Sequence, residues 1–344
     1  MAKITILGAG ITGLATATIL RSRGHTVTIV ARDLPPADST PIDLATASRA
    51  WASPWAGAFY MPDVGASAAC QAMQRAALPH LLALADRHPE SSVRRIGIED
   101  VRDDGAALAD VWYRDAVPGF EVMAADELPA GCTLGVRWTS VVVQPCVLLP
   151  WLRARLEREG GVRFVQREVR ALADLAGEGH DVLINASGVG ARELAADGAV
   201  TAVRGQTHVV RTWWDKIFMR QGSQYTYCIP RLDGTAILGG VKGYGSEDPG
   251  VSEDQRTDIF NRVGDNMPHV FAAFPADFEV VRDNVGFRPG REGGPRVEKE
   301  VVDGQKVVHA YGLSGSGYGY SFGLGEAVSD LVDEFLSGSP KAKL

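Results

Sequence analysis

Lys3-Ile-Thr-Ile-Leu7, then Gly8-Ala-Gly10-Ile-Thr-Gly13, then a helix-like run and His25-Thr-Val-Thr-Ile-Val30, decide the fold. An apolar strand runs straight into a glycine turn, the turn opens a helix, and a second strand follows. In such a unit Gly8 closes the turn, Gly10 admits a pyrophosphate to the backbone, and Gly13 lets helix and strand pack closely. Free N–H groups at the helix start, around Ile11 and Thr12, then favour the phosphate charge. One glycine would mark a tight turn; three at this spacing between two β-runs mark a dinucleotide site. Which dinucleotide stays open at this point. Val30-Ala-Arg32-Asp33 ends the second strand, where an acid often holds a ribose hydroxyl. Asp33 stands slightly late for that, and Arg32 suits either a 2′-phosphate or plain solvent.

The 344 residues suffice for two domains, and 45% apolar with 22% charged content is ordinary for a globular protein. A net charge of −7 argues against nucleic acid as a general partner while permitting a locally basic pocket. No apolar run approaches the roughly 18 residues of a membrane helix, so no membrane partner is expected. The chain starts at the strand itself, so no secretory leader is expected either. Cys70, Cys132, Cys146 and Cys228 have no paired spacing for a metal or dithiol and read as buried free thiols.

Further along, Cys70 to His88 has helical spacing, Val136 to Val143 alternates like a strand, and Pro150 to Glu159 reads as a helix. Val162–Val165 and Val169–Leu172 are candidate strands. Asp181-Val-Leu-Ile-Asn-Ala-Ser187-Gly188 is an apolar strand ending in small residues, as expected where a parallel strand feeds a ligand crevice. Gly205 to Gly240 resembles an antiparallel layer, and Val285 to Arg296 carries almost no periodicity. A late strand at Val307–Tyr311 leads into Gly312-Leu-Ser-Gly-Ser-Gly-Tyr-Gly-Tyr-Ser321, a glycine-rich turn ahead of a helix expected from about Gly325 to Leu336. Pieces of the nucleotide fold thus stand at the start, middle and end, with the antiparallel layer inserted between them. This α/β plan assigns 1–58, 141–200 and 282–344 to a discontinuous Rossmann-like FAD-binding domain. An antiparallel substrate domain takes 59–140 and 201–281. Such a plan suits FAD along its length better than a compact nicotinamide domain, although an NAD(P)-linked dehydrogenase remains the alternative from another class.

Ala52-Ser-Pro-Trp-Ala-Gly57, Gly205-Gln-Thr, Tyr227-Cys-Ile-Pro-Arg231, Gly239-Gly240, Gly286-Phe-Arg-Pro289, Gly294-Pro-Arg-Val-Glu298 and His309-Ala-Tyr-Gly312 resemble the D-amino acid oxidase family of flavoproteins. The likeness spans nearly the whole chain in order and is nearest to fungal members, the D-aspartate oxidases in particular. It implies FAD, a D-amino acid substrate, O2 reduced to H2O2, and a 2-oxo acid with ammonia as products. On this likeness Arg288 clamps the substrate α-carboxylate, Tyr227 shares the clamp, and the Gly317 carbonyl takes the amine. Gly319, Tyr320 and Ser321 meet the flavin pyrimidine edge, and Val169 contacts the cofactor through its backbone. Arg32, Asp33, Ser48, Arg49 and Gly57 lie near the adenosine and pyrophosphate. His208 and His309 read as structural, because hydride transfer from a neutral amine needs no strong base. Ala342-Lys343-Leu344 then reads as a peroxisomal address that an import receptor would recognise, and a homo-oligomer is compatible with the family.

Two positions depart from neutral-substrate members. Lys242 follows the Gly-Gly pair where a tyrosine is usual, and Arg220 lies seven residues before Tyr227. Both are basic in D-aspartate oxidases. A second carboxylate needs a cation to offset its lost hydration. The resemblance therefore implies an oxidase of acidic D-amino acids, D-aspartate or D-glutamate, with Arg220 and Lys242 on the side-chain carboxylate. A neutral D-amino acid oxidase is the alternative within the family.

Overall fold

The computed structural model describes residues 1–272, 276 and 278–338, so Ala342-Lys343-Leu344 lie outside the described residues. The chain opens with β1 (Lys3–Leu7), α1 (Ile11–Ser22) and β2 (Thr26–Ala31), the unit read from the glycine turn. Next come α2 (Ala68–Arg87), β3 (Arg94–Arg102), β4 (Glu121–Val122), β5 (Leu134–Val142), α3 (Pro145–Glu159), β6 (Val162–Gln166) and β7 (Val182–Asn185). The one-turn helix α4 (Ala191–Leu194) leads to β8 (Val200–Arg211), β9 (Ile217–Gln221), β10 (Thr226–Pro230), β11 (Thr235–Gly239) and β12 (Gly243–Tyr244). Last are α5 (Glu253–Asn266), β13 (Val280–Arg291), β14 (Arg296–Val302), β15 (Gln305–Tyr311) and α6 (Gly317–Ser337).

Two sheets result. The first runs β14-β15-β7-β1-β2-β6, parallel except where β14 pairs antiparallel with β15. Its central strands are buried on both faces, as their continuous Ile, Leu and Val content requires. The second runs β12-β8-β11-β10-β9-β3-β5-β4, with β13 also on β8, and is antiparallel apart from β3 beside β9. One apolar cluster joins α1, α2 and α6 to strands of both sheets. A smaller cluster, holding Ile259, Phe260 and Val263, fills the space between α5 and the back of the second sheet.

Several elements differ from the sequence reading, each for a local reason. α3 begins five residues before Pro150. Pro150 has no N–H for the Cys146 carbonyl, and the Ile42 N–H satisfies that oxygen instead at 2.9 Å. Val169–Leu172 is no strand, because Asp174 Oδ2 draws the N–H groups of Arg170 (2.9 Å) and Ala171 (3.1 Å) into a turn. The expected boundary at 281/282 falls inside β13, whose residues Val280 to Arg291 pair with Val210 to Val200 of β8. The stretch from Gly317 to Ser321 is the first turn of α6 rather than a loop. Glycines in α6 serve close packing: a Cβ on Gly323 would stand 1.9 Å from the Met73 carbonyl oxygen on α2. Of the four free cysteines only Cys228 is fully buried. No described helix is long and apolar enough to cross a membrane.

Candidate active site

A cavity of about 490 Å³ lies where the carboxyl ends of the parallel strands face the antiparallel sheet. Two helix N-termini open onto it, α1 at Ile11 and α6 at Gly317, with an added Gly317 Cβ only 3.8 Å from Ile11 Cγ2. The α1 N-cap, Gly10, has no side chain and the first turn no acid; Ser53 takes only the Ile11 N–H, so the rest of the positive end stays available to an anion. The turn beneath it is tight. Gly8 holds φ +115°, and a Cβ there would meet the Ala186 oxygen at 2.4 Å; one on Gly13 would meet the Gly8 oxygen at 2.0 Å. Gly10 faces Ser53, whose Oγ accepts the Ile11 N–H at 3.0 Å.

The other wall comes from the second sheet. Gly239 lies opposite Tyr227 in the β10–β11 register, and its missing side chain leaves room for the tyrosine ring, which a Cβ would strike at 2.3 Å. Gly205 does the same for Arg288, where a Cβ would come within 2.6 Å of the guanidinium. Arg288 Nη1 donates to the Val241 carbonyl at 3.1 Å, and Nη2 reaches Tyr227 Oη at 3.4 Å. Lys242 follows directly, its Nζ 4.1 Å above the Tyr225 ring. Lys242 is an exposed residue on the rim of the cavity. Even so, the surrounding walls, and then the Arg288 charge, hold its pKa below the usual lysine range.

Of the residues read from sequence, Ile11, Thr12, Gly57, Tyr227, Lys242, Arg288, Gly317, Gly319 and Tyr320 line this cavity. Gly8, Gly10 and Gly13 form the turn under its nucleotide end. Ser187 abuts Gly8, and Gly188 abuts Pro289. Arg32 pairs with Asp33 at 2.8 Å and reaches Ser48 Oγ at 3.4 Å, just past β2. Arg49 lies against the Trp55 ring and donates to the Pro249 carbonyl. Val169 packs with Leu7, Val30 and Leu183 under the strand ends. Ser321 is fully buried in α6. His208 and His309 are buried away from the cavity, on Asp283 (2.7 Å) and Glu300 (2.9 Å) respectively.

Arg220 is the correction. Thr226 stands opposite it and Met219 opposite Tyr227, so Met219 and Gln221 face the cavity while Arg220 faces the back of the sheet. There, only 5% exposed, it binds Asp103 Oδ2 at 2.8 Å, Asn266 Oδ1 of α5 at 2.8 Å and the Ala130 carbonyl at 3.2 Å. It is a structural cation rather than a pocket one.

Asp63 is the residue that the sequence reading missed. Its carboxylate lies on the cavity wall, accepting from Ser316 Oγ at 3.0 Å, Gln74 Nε2 at 2.8 Å and Tyr320 Oη at 3.4 Å. Burial pushes its pKa up, against those three donors and the Lys242 charge. Its position after Phe59-Tyr-Met-Pro62 carries no local pattern, since the donors come from distant α2 and α6.

A glycine turn at a helix start on one wall, facing an arginine hydrogen-bonded to a tyrosine on the other, is the arrangement expected of a dinucleotide-dependent enzyme. Residues 3–331 match DAO, the FAD dependent oxidoreductase family, and the chain belongs to it. It is 34% identical to a D-aspartate oxidase of Talaromyces thermophilus, over 96% of this chain and 95% of the relative. It is 33% identical to a D-amino-acid oxidase of Rubrobacter xylanophilus, over 98% of both. Glycine oxidase from Geobacillus kaustophilus shares the fold at TM-score 0.72 and 20% identity, covering 97% of this chain and 95% of that one. The protein is thus an FAD-dependent amino acid oxidase of the D-amino acid or D-aspartate oxidase type, which sets the nicotinamide alternative aside. The residues fit FAD: a helix start whose Gly10 N-cap carries no side chain, and glycines that any Cβ would block, would hold the pyrophosphate, and the α6 N-terminus opens onto the cavity beyond.

Proposed function

We propose that the chain oxidises D-amino acids with an anionic side chain, D-aspartate first and D-glutamate with it. The observation carrying this reading is Lys242, a second cation in a cavity that already holds Arg288. FAD, when bound, supplies the two-electron acceptor that O2 restores with release of H2O2. The chain binds and orients. Arg288 and Tyr227 hold the α-carboxylate, a planar fork with a hydroxyl beside it suiting two oxygens. Gly317, the first residue of α6, offers its carbonyl to the substrate amine. Lys242 takes the side-chain carboxylate alone, in place of the pair with Arg220. Fixed this way, the substrate loses hydride from Cα as its neutral amine becomes an imine, which water hydrolyses to the oxo acid and ammonia. Positioning supplies much of the acceleration.

Neutral D-amino acids are the second reading, favoured by Arg220 facing away and by the negative charge of Asp63 within the same cavity. Anaerobic titration of the holoenzyme with D-aspartate, D-glutamate and D-alanine tests both. Bleaching of the flavin by the acidic substrates at lower concentration is expected, and a clear D-alanine preference would overturn the first reading. Lys242→Met should lower kcat/KM for D-aspartate about tenfold more than for D-alanine, the ~1.4 kcal/mol of one partly screened charge contact. The peroxisomal address proposed for Ala342-Lys343-Leu344 is tested apart, by imaging fluorescent fusions with and without these three residues.

A further inference from the structure

The acidic-substrate reading leaves a carboxylate unexplained. Asp63 sits in the wall of a cavity proposed to receive two substrate carboxylates, and it is held there firmly. Its side chain is bonded by Ser316, Gln74 and Tyr320, while its own N–H donates to Gln74 Oε1 at 3.2 Å and its carbonyl accepts from Trp112 Nε1 at 3.0 Å. Five contacts from α2, the start of α6 and the segment around Trp112 hold the residue in this position.

Charge counting makes this consequential. Arg291 also lines the cavity but is neutralised by Asp197 at 2.8 Å, so Arg288 and Lys242 bring two uncompensated positive charges to it, and Asp63 brings one negative. A monocarboxylate D-amino acid with a neutral amine closes that sum to zero. A dicarboxylate one leaves an excess negative charge in a partly dry space, where unbalanced charge is costly. Lys242 and Asp63 line the same cavity without closing into an ion pair, so the field of each acts on the other across the space that the substrate would enter. The carboxylate therefore competes with the incoming side chain for one ammonium group.

We propose that Asp63 is a specificity-determining residue, a built-in counter-ion that reserves Lys242 and so restrains the preference for anionic side chains. This deepens the acidic-substrate reading and rests on it. The same device explains how one pocket could hold Lys242 without two like charges repelling each other before substrate arrives.

The test is Asp63→Asn in the purified holoenzyme, isosteric and able to keep the Ser316 and Tyr320 bonds. The ratio of kcat/KM for D-aspartate over D-alanine should rise about tenfold, the scale of removing one like charge. Succinate should gain affinity over propionate by a similar factor, read from the absorbance change of the bound flavin. In Asp63→Asn with Lys242→Gln, most of the gain should vanish. An unchanged ratio, with both substrates losing rate together, would make Asp63 a purely structural acceptor. A selective loss of D-lysine turnover would make it a reader of cationic side chains; either result overturns the proposal. Asp63→Ser, which removes the charge and keeps a hydroxyl, supplies the same readings should the asparagine variant fail to hold flavin. The two ideas fail separately: an inert Lys242→Met refutes the acidic reading, whereas an inert Asp63→Asn beside a responsive Lys242→Met refutes only this one.

Discussion

The parallel and antiparallel sheets meet at one cavity but contribute to it by different means. On the parallel side the work is done by backbone: Gly8, Gly10, Gly13 and the start of α1 present N–H groups and empty space. On the antiparallel side the wall is made of side chains: Tyr227 and Arg288, each placed by strand parity and by a glycine that makes room, and Lys242, which follows β11 outside any strand. Backbone function depends on what is absent at a position, and that is visible in a glycine spacing. Side-chain function depends on which face a residue occupies, and one step along β9 separates the cavity from α5.

The largest effect should come from the backbone side. Gly13→Ala puts a Cβ 2.0 Å from the Gly8 carbonyl oxygen, a contact that only a backbone shift relieves. The variant should purify without bound flavin, as judged by its absorbance spectrum. Retention of a normal flavin spectrum would show that the turn tolerates bulk and would weaken the contrast between the two walls.

Next is the clamp. Arg288→Lys keeps the charge and loses the planar fork, and the Gly205 gap was cut for a guanidinium. A fall in kcat/KM of about a hundredfold is expected for every D-amino acid alike. A loss confined to acidic substrates would instead place Arg288 on the side-chain carboxylate. Lys242→Met comes third, and its effect should differ between substrates.

This contrast also sets what could be read from the chain beforehand. The β1–α1–β2 unit, β7 and the discontinuous plan were legible because strand period and glycine spacing are local signals. α6 was legible only in its later part: Gly317 to Ser321 read as a loop, since glycines that admit close neighbours, as Gly319 admits the Met61 backbone, look the same as glycines that turn. β13 carried no periodicity because Gly286, Pro289 and Gly290 interrupt its alternation while β8 supplies the pairing from outside. Tyr227 and Arg288 came from a likeness across the whole family, not from any local rule. Asp63 had neither source, because its donors, Gln74, Ser316 and Tyr320, are brought to it by tertiary packing.

Arg220 gives the smallest and sharpest comparison, since it separates a cation that reads substrate from one that holds the fold. Arg220→Ala strands Asp103, which is only 11% exposed, without its main partner. Breaking such a pair costs about 3 kcal/mol in stability, yet D-aspartate and D-alanine kinetics should shift together or not at all. The pH dependence supplies the second mark. Hydrogen bonds from Arg220 and then Ser223 hold the Asp103 pKa down at about 2, against about 3.9 for an unfolded aspartate. A group whose folded pKa is depressed contributes stability that is fully present above its unfolded pKa and lost as pH falls through the folded one. The wild-type melting temperature should therefore decline between about pH 4 and pH 2, and that decline should be shallower in Arg220→Ala. A selective loss of D-aspartate turnover in Arg220→Ala, with an unchanged acid limb, would return this guanidinium to the substrate and undo the parity argument on β9.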